Sequence, residues 1–297
     1  MEVMASSIRV RVHTSQFNHN DIAFLAPDAS DTACGGGLLS YGAGRFEFDS
    51  SGTFFSHLTF DLLQASSGLR EIVAIYWMLR ALESRLPRRV VVFTDSQVAC
   101  SAISRGSRVY AVQYIARLIF AWCLHHSVCL FPCWAPRTTD IISVADERSR
   151  WSDTYGQCTP ERVFTAANQL ALRLWASPLS FDRQASHLNA MPPRSLGLPP
   201  LPFNSLWNQP GSSGVDMFLQ PMQSWRSNIN FIHPAAPTIG RVLTFLPVTS
   251  SRAVVVIPCR LVDACPWWAN FAAAGGPGVR HTLRLLDFLV VAVDHTC

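Results

Sequence analysis

Four acidic residues fall where carboxylates can act together. Asp28 follows the short apolar run Ile22–Leu25, inside the turn signal Pro27-Asp28-Ala29-Ser30. Glu71 falls in the first turns of a predicted helix, Asp95 follows the apolar run RRVVVF, and Asp146 sits in the polar segment DIISVADERSR. Oxygen-only donors of this kind suit hard divalent cations such as Mg2+ or Mn2+. Two such ions, about 3.5–4 Å apart, can activate water and stabilise the leaving oxygen in phosphodiester cleavage. Each acid also has a plainer role. Asp28 can start a turn, Glu71 can complement a helix dipole, Asp95 can cap the helix that follows it, and Asp146 can be a solvated helix residue. The coincidence of all four in one element order favours the chemistry.

That order is readable from hydrophobic spacing. After Ile22–Leu25, the segments Gly35–Tyr41, Gly44–Phe48 and Gly52–Leu62 read as strands close enough to form an antiparallel meander. Ser67 is placed to cap a helix from about Gly68 to Ser84, with Ile72, Ile75, Leu79 and Leu82 on one face. Arg88–Phe93 reads as a buried strand, Tyr110–His126 as an apolar helix, Val128–Trp134 as a strand and Asp140–Arg150 as a short polar helix. The order βββαβαβα argues an α/β fold with a mixed sheet flanked by helices.

The blocks LAPDASDTACGGGLLSYGAG, SSGLREIVAIYWML, VVVFTDSQVAC and PRTTDIISVADERSRW resemble, in order and spacing, the RNase H domain of DIRS-type and Ngaro-type tyrosine-recombinase retrotransposons. That family carries D-A-S, S-S-x-x-R-E, T-D-S and P-R-x-x-N-x-x-A-D-x-x-S-R blocks. The resemblance covers roughly residues 20–155. It implies an RNase H-like mixed five-stranded sheet, with Asp28, Glu71, Asp95 and Asp146 as catalytic metal ligands for two Mg2+ or Mn2+ ions. It implies cleavage of the RNA strand of RNA–DNA hybrids, with a reverse-transcriptase domain as partner in the full element. Two details depart from the pattern: Asp140 or Ile141 stands where the family has Asn, and no histidine precedes Asp146 in its loop. The alternative is a catalytically inactive nucleic-acid-binding remnant of such an element.

The second half resembles the segment that follows in DIRS-type elements, which is similar to phage DNA N6-adenine methyltransferases. FDRQASHLNAMPPR, GVDMFLQPMQSW and AVVVIPCRLVDACPWW carry this likeness, which implies a smaller Rossmann-like α/β domain. The catalytic loop of those enzymes, (Asn/Asp)-Pro-Pro-(Tyr/Phe/Trp), corresponds to Ile232-His233-Pro234-Ala235-Ala236-Pro237. His233 replaces the polar acceptor and Ala236 the aromatic ring that stacks on a flipped base, so no methyl transfer is expected. Asp182 and Asp216 are candidates to line a relic cofactor pocket. The expected division is an N-terminal extension at 1–19, a nuclease domain at 20–155, a degenerate methyltransferase-like domain with proline-rich loops at 156–275, and a tail at 276–297.

Composition sets wider bounds. A hydrophobic fraction of 49% with 15% charged residues describes a folded chain. No stretch reaches the roughly 20 apolar residues needed to cross a bilayer, and the N-terminus lacks a signal-peptide core. An intracellular protein, nuclear or cytoplasmic and without a membrane partner, is expected. All 24 basic residues are arginine. This fits a coding bias, and also phosphate recognition by the guanidinium fork. Cys123, Cys129 and Cys133 cluster near His125 and His126, but without a C-x-x-C pair they read as packing residues.

Overall fold

Arg89–Thr94 reads RVVVFT, and a strand apolar at successive positions needs cover on both faces. In the computed structural model it lies between two strands and under two layers of helix. The structure describes residues 2–5, 8–11, 21–42, 45–151, 158–192, 199–263 and 278–296. It comprises two units, the first holding residues up to Asp153 together with Trp207–Pro210, the second holding the remainder.

The first unit opens with a hairpin, β1 (Glu2–Ala5) against β2 (Ile8–Arg11). Its main elements are β3 (Ile22–Ala29), β4 (Ala33–Gly42), β5 (Arg45–His57), the short helix α1 (Phe60–Leu63), α2 (Ser67–Ala81), β6 (Arg89–Thr94), α3 (Gln97–Arg105), α4 (Tyr110–His125), β7 (Cys129–Trp134) and α5 (Asp140–Ser149). The sheet order is β5-β4-β3-β6-β7. β3, β4 and β5 pair antiparallel, while β6 runs parallel to β3, and β7 parallel to β6. Side-chain alternation sorts the two faces. Ala23, Leu25, Val90 and Val92 pack with Ile72, Ile75, Met78, Leu79 and Leu82 in one core, while Ala26 and Phe93 pack with Ile141, Ile142 and Ala145 of α5 in another.

The helix expected at Gly68–Ser84 starts at Ser67, and its cap is Ser66, whose hydroxyl accepts from the Leu69 N–H. The two strands expected at Gly44–Phe48 and Gly52–Leu62 are parts of β5. Phe48 faces Leu39 and Thr53 faces Gly37, so Asp49–Gly52 bulges out of one continuous pairing rather than turning a corner. Pairing stops at Ala33 opposite His57, and the residues beyond have no strand to join. Phe60–Leu63 is accordingly helical. Gly44 lies outside the described residues.

The second unit contains α6 (Glu161–Trp175), β8 (Phe181–Asp182), β9 (Asn204–Ser205), β10 (Gly214–Val215), α7 (Met222–Arg226), β11 (Ile229–Ile232), α8 (Ile239–Thr249), β12 (Arg252–Pro258), α9 (Cys259–Asp263), β13 (Val279–Leu285) and β14 (Phe288–Asp294). Its larger sheet has the order β13-β14-β12-β11-β8, with β8, β11 and β12 parallel and β14 antiparallel to β12. The segment expected as a tail therefore supplies two strands. Val290–Val293 is buried because β14 pairs along the whole of β12. The helix α6 precedes the proline-rich run in the sequence. Val163, Phe164, Ala167, Leu170 and Ala171 follow helical spacing and are buried in a core with Phe231 and Val254. Gly214–Phe231 holds β10, a 3-10 turn, α7 and β11. Residues 193–198 of the proline-rich run and 264–277, with the tryptophan pair and most of GGPG, lie outside the described residues.

Candidate metal centre

The first acid comes from the central strand. Alternation along β3 puts Asp28 on the same face as Phe24 and Ala26, the face covered by α5. β3 pairs with β6 only as far as Leu25, although it pairs with β4 through Ala29. Past Leu25 the β6 side of β3 is free of a ladder partner, and the chain leaving β6 delivers Asp95 there. Glu71 arrives from α2. One carboxylate oxygen from each of Asp28, Glu71 and Asp95 lies within 4.8 Å of the others.

Two glycines make this approach possible. A Cβ at Gly35, which faces Asp28 across the ladder, would run into the main chain at Arg148 and Ser149. Only the bare backbone lets the end of α5 lie against β4. Gly36 has φ +144°, a conformation that L side chains rarely adopt. The turn after Asp28 is fixed from the same side. The Ser30 hydroxyl accepts from the Ala33 N–H at 3.0 Å and donates to the Ser149 carbonyl at 2.7 Å. At the other acid, the Ser96 N–H donates to Thr94 Oγ1, Ser96 caps α3, and the Trp134 indole N–H donates to the Asp95 carbonyl at 3.0 Å. Ser96, rather than Asp95, is the cap, which leaves the Asp95 carboxylate for the cluster.

The donor set fits a divalent cation. Asp28 is 1% exposed, and among the described residues no group sits in hydrogen-bonding geometry to either carboxylate oxygen. The nearby Ser149 hydroxyl gives its proton to the Asp146 carbonyl at 2.8 Å. A buried carboxylate left this way is costly unless a cation or a proton compensates it. Burial, reinforced by the charges of Asp95 and Asp146 and opposed by the nearby Ser149 hydroxyl and Arg137, pushes the Asp28 carboxyl up to about 6. Burial, then the neighbouring Asp28 and Asp95, pushes Glu71 up to about 9. Clustered hard oxygen donors of this kind are what Mg2+ or Mn2+ takes.

Asp146 is placed differently. It acts on Asp28 through its charge, but its carboxylate is not in the three-acid group. Arg150 and Arg137 hold it at 2.8 and 2.7 Å, and their hydrogen bonds keep its carboxyl below the usual range. Arg137 also reaches Asp95, with Nε 3.6 Å from Oδ2. Arg137, Trp134 and Ser30 all lie within or beside the acidic sequence blocks. Their roles depend on loop packing that no periodicity shows.

Among the described residues, the cysteine and histidine cluster forms no ligand group. Cys123 is in the core, and His126 stacks on Trp122 at 4.6 Å between ring centres. In the second unit, Asp216 caps a turn by accepting from the Phe218 N–H. Asp182 is buried, accepts from the Gln184 and Met191 N–H groups, and is pushed up to about 7 by burial. His233 follows β11, with Nδ1 2.8 Å from the Thr159 hydroxyl, and burial lowers its pKa to about 4. Ala236 begins a single 3-10 turn.

No family model and no curated protein matches the chain. Solved structures similar to it include RNase H1 from Halobacterium salinarum (17% identity, TM-score 0.34, covering 43% of this chain and 93% of that one). Another is the N-terminal RNase H domain of Rv2228c from Mycobacterium tuberculosis (16% identity, TM-score 0.33, 43% and 95% covered). A third is LC11-RNase H1 in complex with an RNA/DNA hybrid (16% identity, TM-score 0.30, 43% and 91% covered).

Proposed function

We propose that residues 20–155 form an RNase H-type endonuclease that hydrolyses the RNA strand of RNA–DNA hybrids. The convergence of Asp28, Glu71 and Asp95, with the Asp28 carboxylate buried, carries this reading. The sheet order β5-β4-β3-β6-β7 supports it, because it sets two acids at neighbouring carboxyl ends of parallel strands. The four sequence blocks support its origin in a retrotransposon polyprotein, beside a reverse-transcriptase domain.

Asp28, Glu71 and Asp95 would hold the metal, and Asp146 would join them from α5. Bound divalent ions would supply an activated water and counter-charge for the departing oxygen. The protein's own part is positional. Trp134 and Ser96 fix the Asp95 main chain, Ser30 anchors the turn after Asp28, and burial keeps water away from Asp28. The exposed guanidinium of Arg137 lies beside the acids, where a phosphate would need a cation.

The test is cleavage of a labelled RNA–DNA hybrid by the full chain with Mg2+ or Mn2+, beside Asp95→Asn. Cutting by the parent alone is the expected result. A folded parent that binds the hybrid without cutting it, regardless of divalent ion, would instead establish the binding remnant.

For the second unit we propose a methyltransferase-like fold without transfer activity. Three parallel strands followed by an antiparallel β14 are consistent with it, and the loop after β11 carries His233 and Ala236 where an acceptor and a ring are needed. Isothermal titration with S-adenosylmethionine tests what remains of its cofactor pocket, and tight binding with methyl transfer would reverse the reading.

A further inference from the structure

The acids near the metal centre divide into two kinds. Asp28 and Glu71 are buried and, among the described residues, in no salt bridge, so the charge of Arg137 acts on them only from a distance. Asp95 and Asp146 share one cation, Arg137, whose Nη2 lies 2.7 Å from Asp146 Oδ1 and whose Nε lies 3.6 Å from Asp95 Oδ2. The Arg137 side chain is 62% exposed, so it has solvent to move into at little cost in packing. Among the described residues, Arg150 pairs with Asp146 alone.

We propose that Arg137 is a built-in counter-cation that holds the Asp95–Asp146 side of the centre and must leave before a second divalent ion can use those carboxylates. Any cation taking oxygens of both Asp95 and Asp146 competes with the guanidinium for them. The group Asp28–Glu71–Asp95 faces weaker competition, because Arg137 touches only one of its members, and at the longer distance. Loading is therefore ordered: a first ion enters the buried acids, and a second waits on the arginine. The displaced guanidinium then becomes free to meet a phosphate, so hybrid binding and second-ion binding favour each other. This inference rests on the metal-dependent reading above.

The test is titration of the full-length, metal-free chain with Mn2+, read by calorimetry and by the electron paramagnetic resonance of free Mn2+. The parent is compared with Arg137→Ala, Arg137→Gln and Arg150→Ala, each checked for folding by circular dichroism. Two steps are expected in the parent. Both Arg137 variants should tighten the second step by about tenfold or more, while moving the first by less than about threefold. A second step visible only in the Arg137 variants supports the inference equally. Arg150→Ala should tighten the second step less, since it frees only Asp146. Equal tightening by Arg150→Ala overturns the bridging role, and an unchanged second step in both Arg137 variants overturns the inference while the nuclease reading stands. A parent that binds no Mn2+ at all overturns both.

Discussion

The Ser30 hydroxyl donates to the Ser149 carbonyl at 2.7 Å, tying the turn after Asp28 to the end of the helix that carries Asp146. The same oxygen accepts from the Ala33 N–H, so one side chain sets both the exit of β3 and the seat of α5. Ser30→Ala leaves the Ser149 carbonyl without this donor and releases the turn. A loss of roughly 1–2 kcal/mol is expected in urea unfolding. Turnover on a hybrid should fall about tenfold with circular dichroism unchanged, because the acids lose position rather than fold. A wild-type rate in this variant would show that α5 is seated by its apolar face alone.

Gly35→Ala tests the same contact from the sheet side. The added methyl meets main chain at Arg148 and Ser149, and backbone cannot rotate away as a side chain can. A cost of about 3 kcal/mol or more is expected, with α5 displaced. Gly42→Ala, where a Cβ meets nothing within 4 Å, is the control and should change stability by less than about 0.5 kcal/mol. Thermal unfolding of the two variants side by side reads the difference.

Ser30, Ser66, Ser96 and Ser149 each make a local main-chain hydrogen bond at the turn or helix end near one of the four acids. Asp28, Glu71 and Asp95 are legible in the sequence because each stands at a strand end or helix start that apolar spacing marks, inside a block of the resemblance. Arg137 is not, because its two partners lie at the end of β6 and on α5, and only the folded loop joins them. The strands β13 and β14 were missed for a different reason. HTLRLLDFLVVAVD has apolar runs, but their hairpin is bounded by Leu286 and Asp287 rather than by a glycine turn. Helix α6 carries an unbroken stripe, Val163, Phe164, Ala167, Leu170 and Ala171, but the proline-rich run that follows it dominates the texture of that region.

Glu71 sets function against stability. Its carboxyl is raised from 4.5 to about 9, so the folded state holds its proton more tightly than the unfolded chain does. The stability this gives is fully present below pH 4.5 and is lost as pH rises through about 9. At pH 7 the metal-free protein is then weaker by on the order of 3 kcal/mol than near pH 4 on this account alone. Glu71→Gln removes the titration. With a chelator at pH 8 the variant should melt higher than the parent, and near pH 4.5 the two should converge. Saturating Mn2+ should reverse the order at pH 8, because only the parent keeps all three ligands. A variant less stable than the parent at pH 8 without metal would mean that Glu71 is compensated by a partner other than a cation.

The same two acids fix how metal affinity depends on pH. A bound cation needs Asp28 and Glu71 ionised, whereas without it they hold protons up to about 6 and about 9 respectively. Between these values one proton, that of Glu71, must leave on binding, so the apparent Mn2+ affinity should rise about tenfold per pH unit from 6 to 9. Below pH 6 Asp28 adds a second proton and the slope should steepen toward two. Calorimetry at pH 7.5 in buffers of different ionisation enthalpy counts the protons directly, and about one is expected for the first ion. In Glu71→Gln the affinity should be weaker but flat between pH 7 and 9, since the titrating group is gone. A slope that survives in that variant would place the proton on another group, and Asp28→Asn would then show whether that group is Asp28.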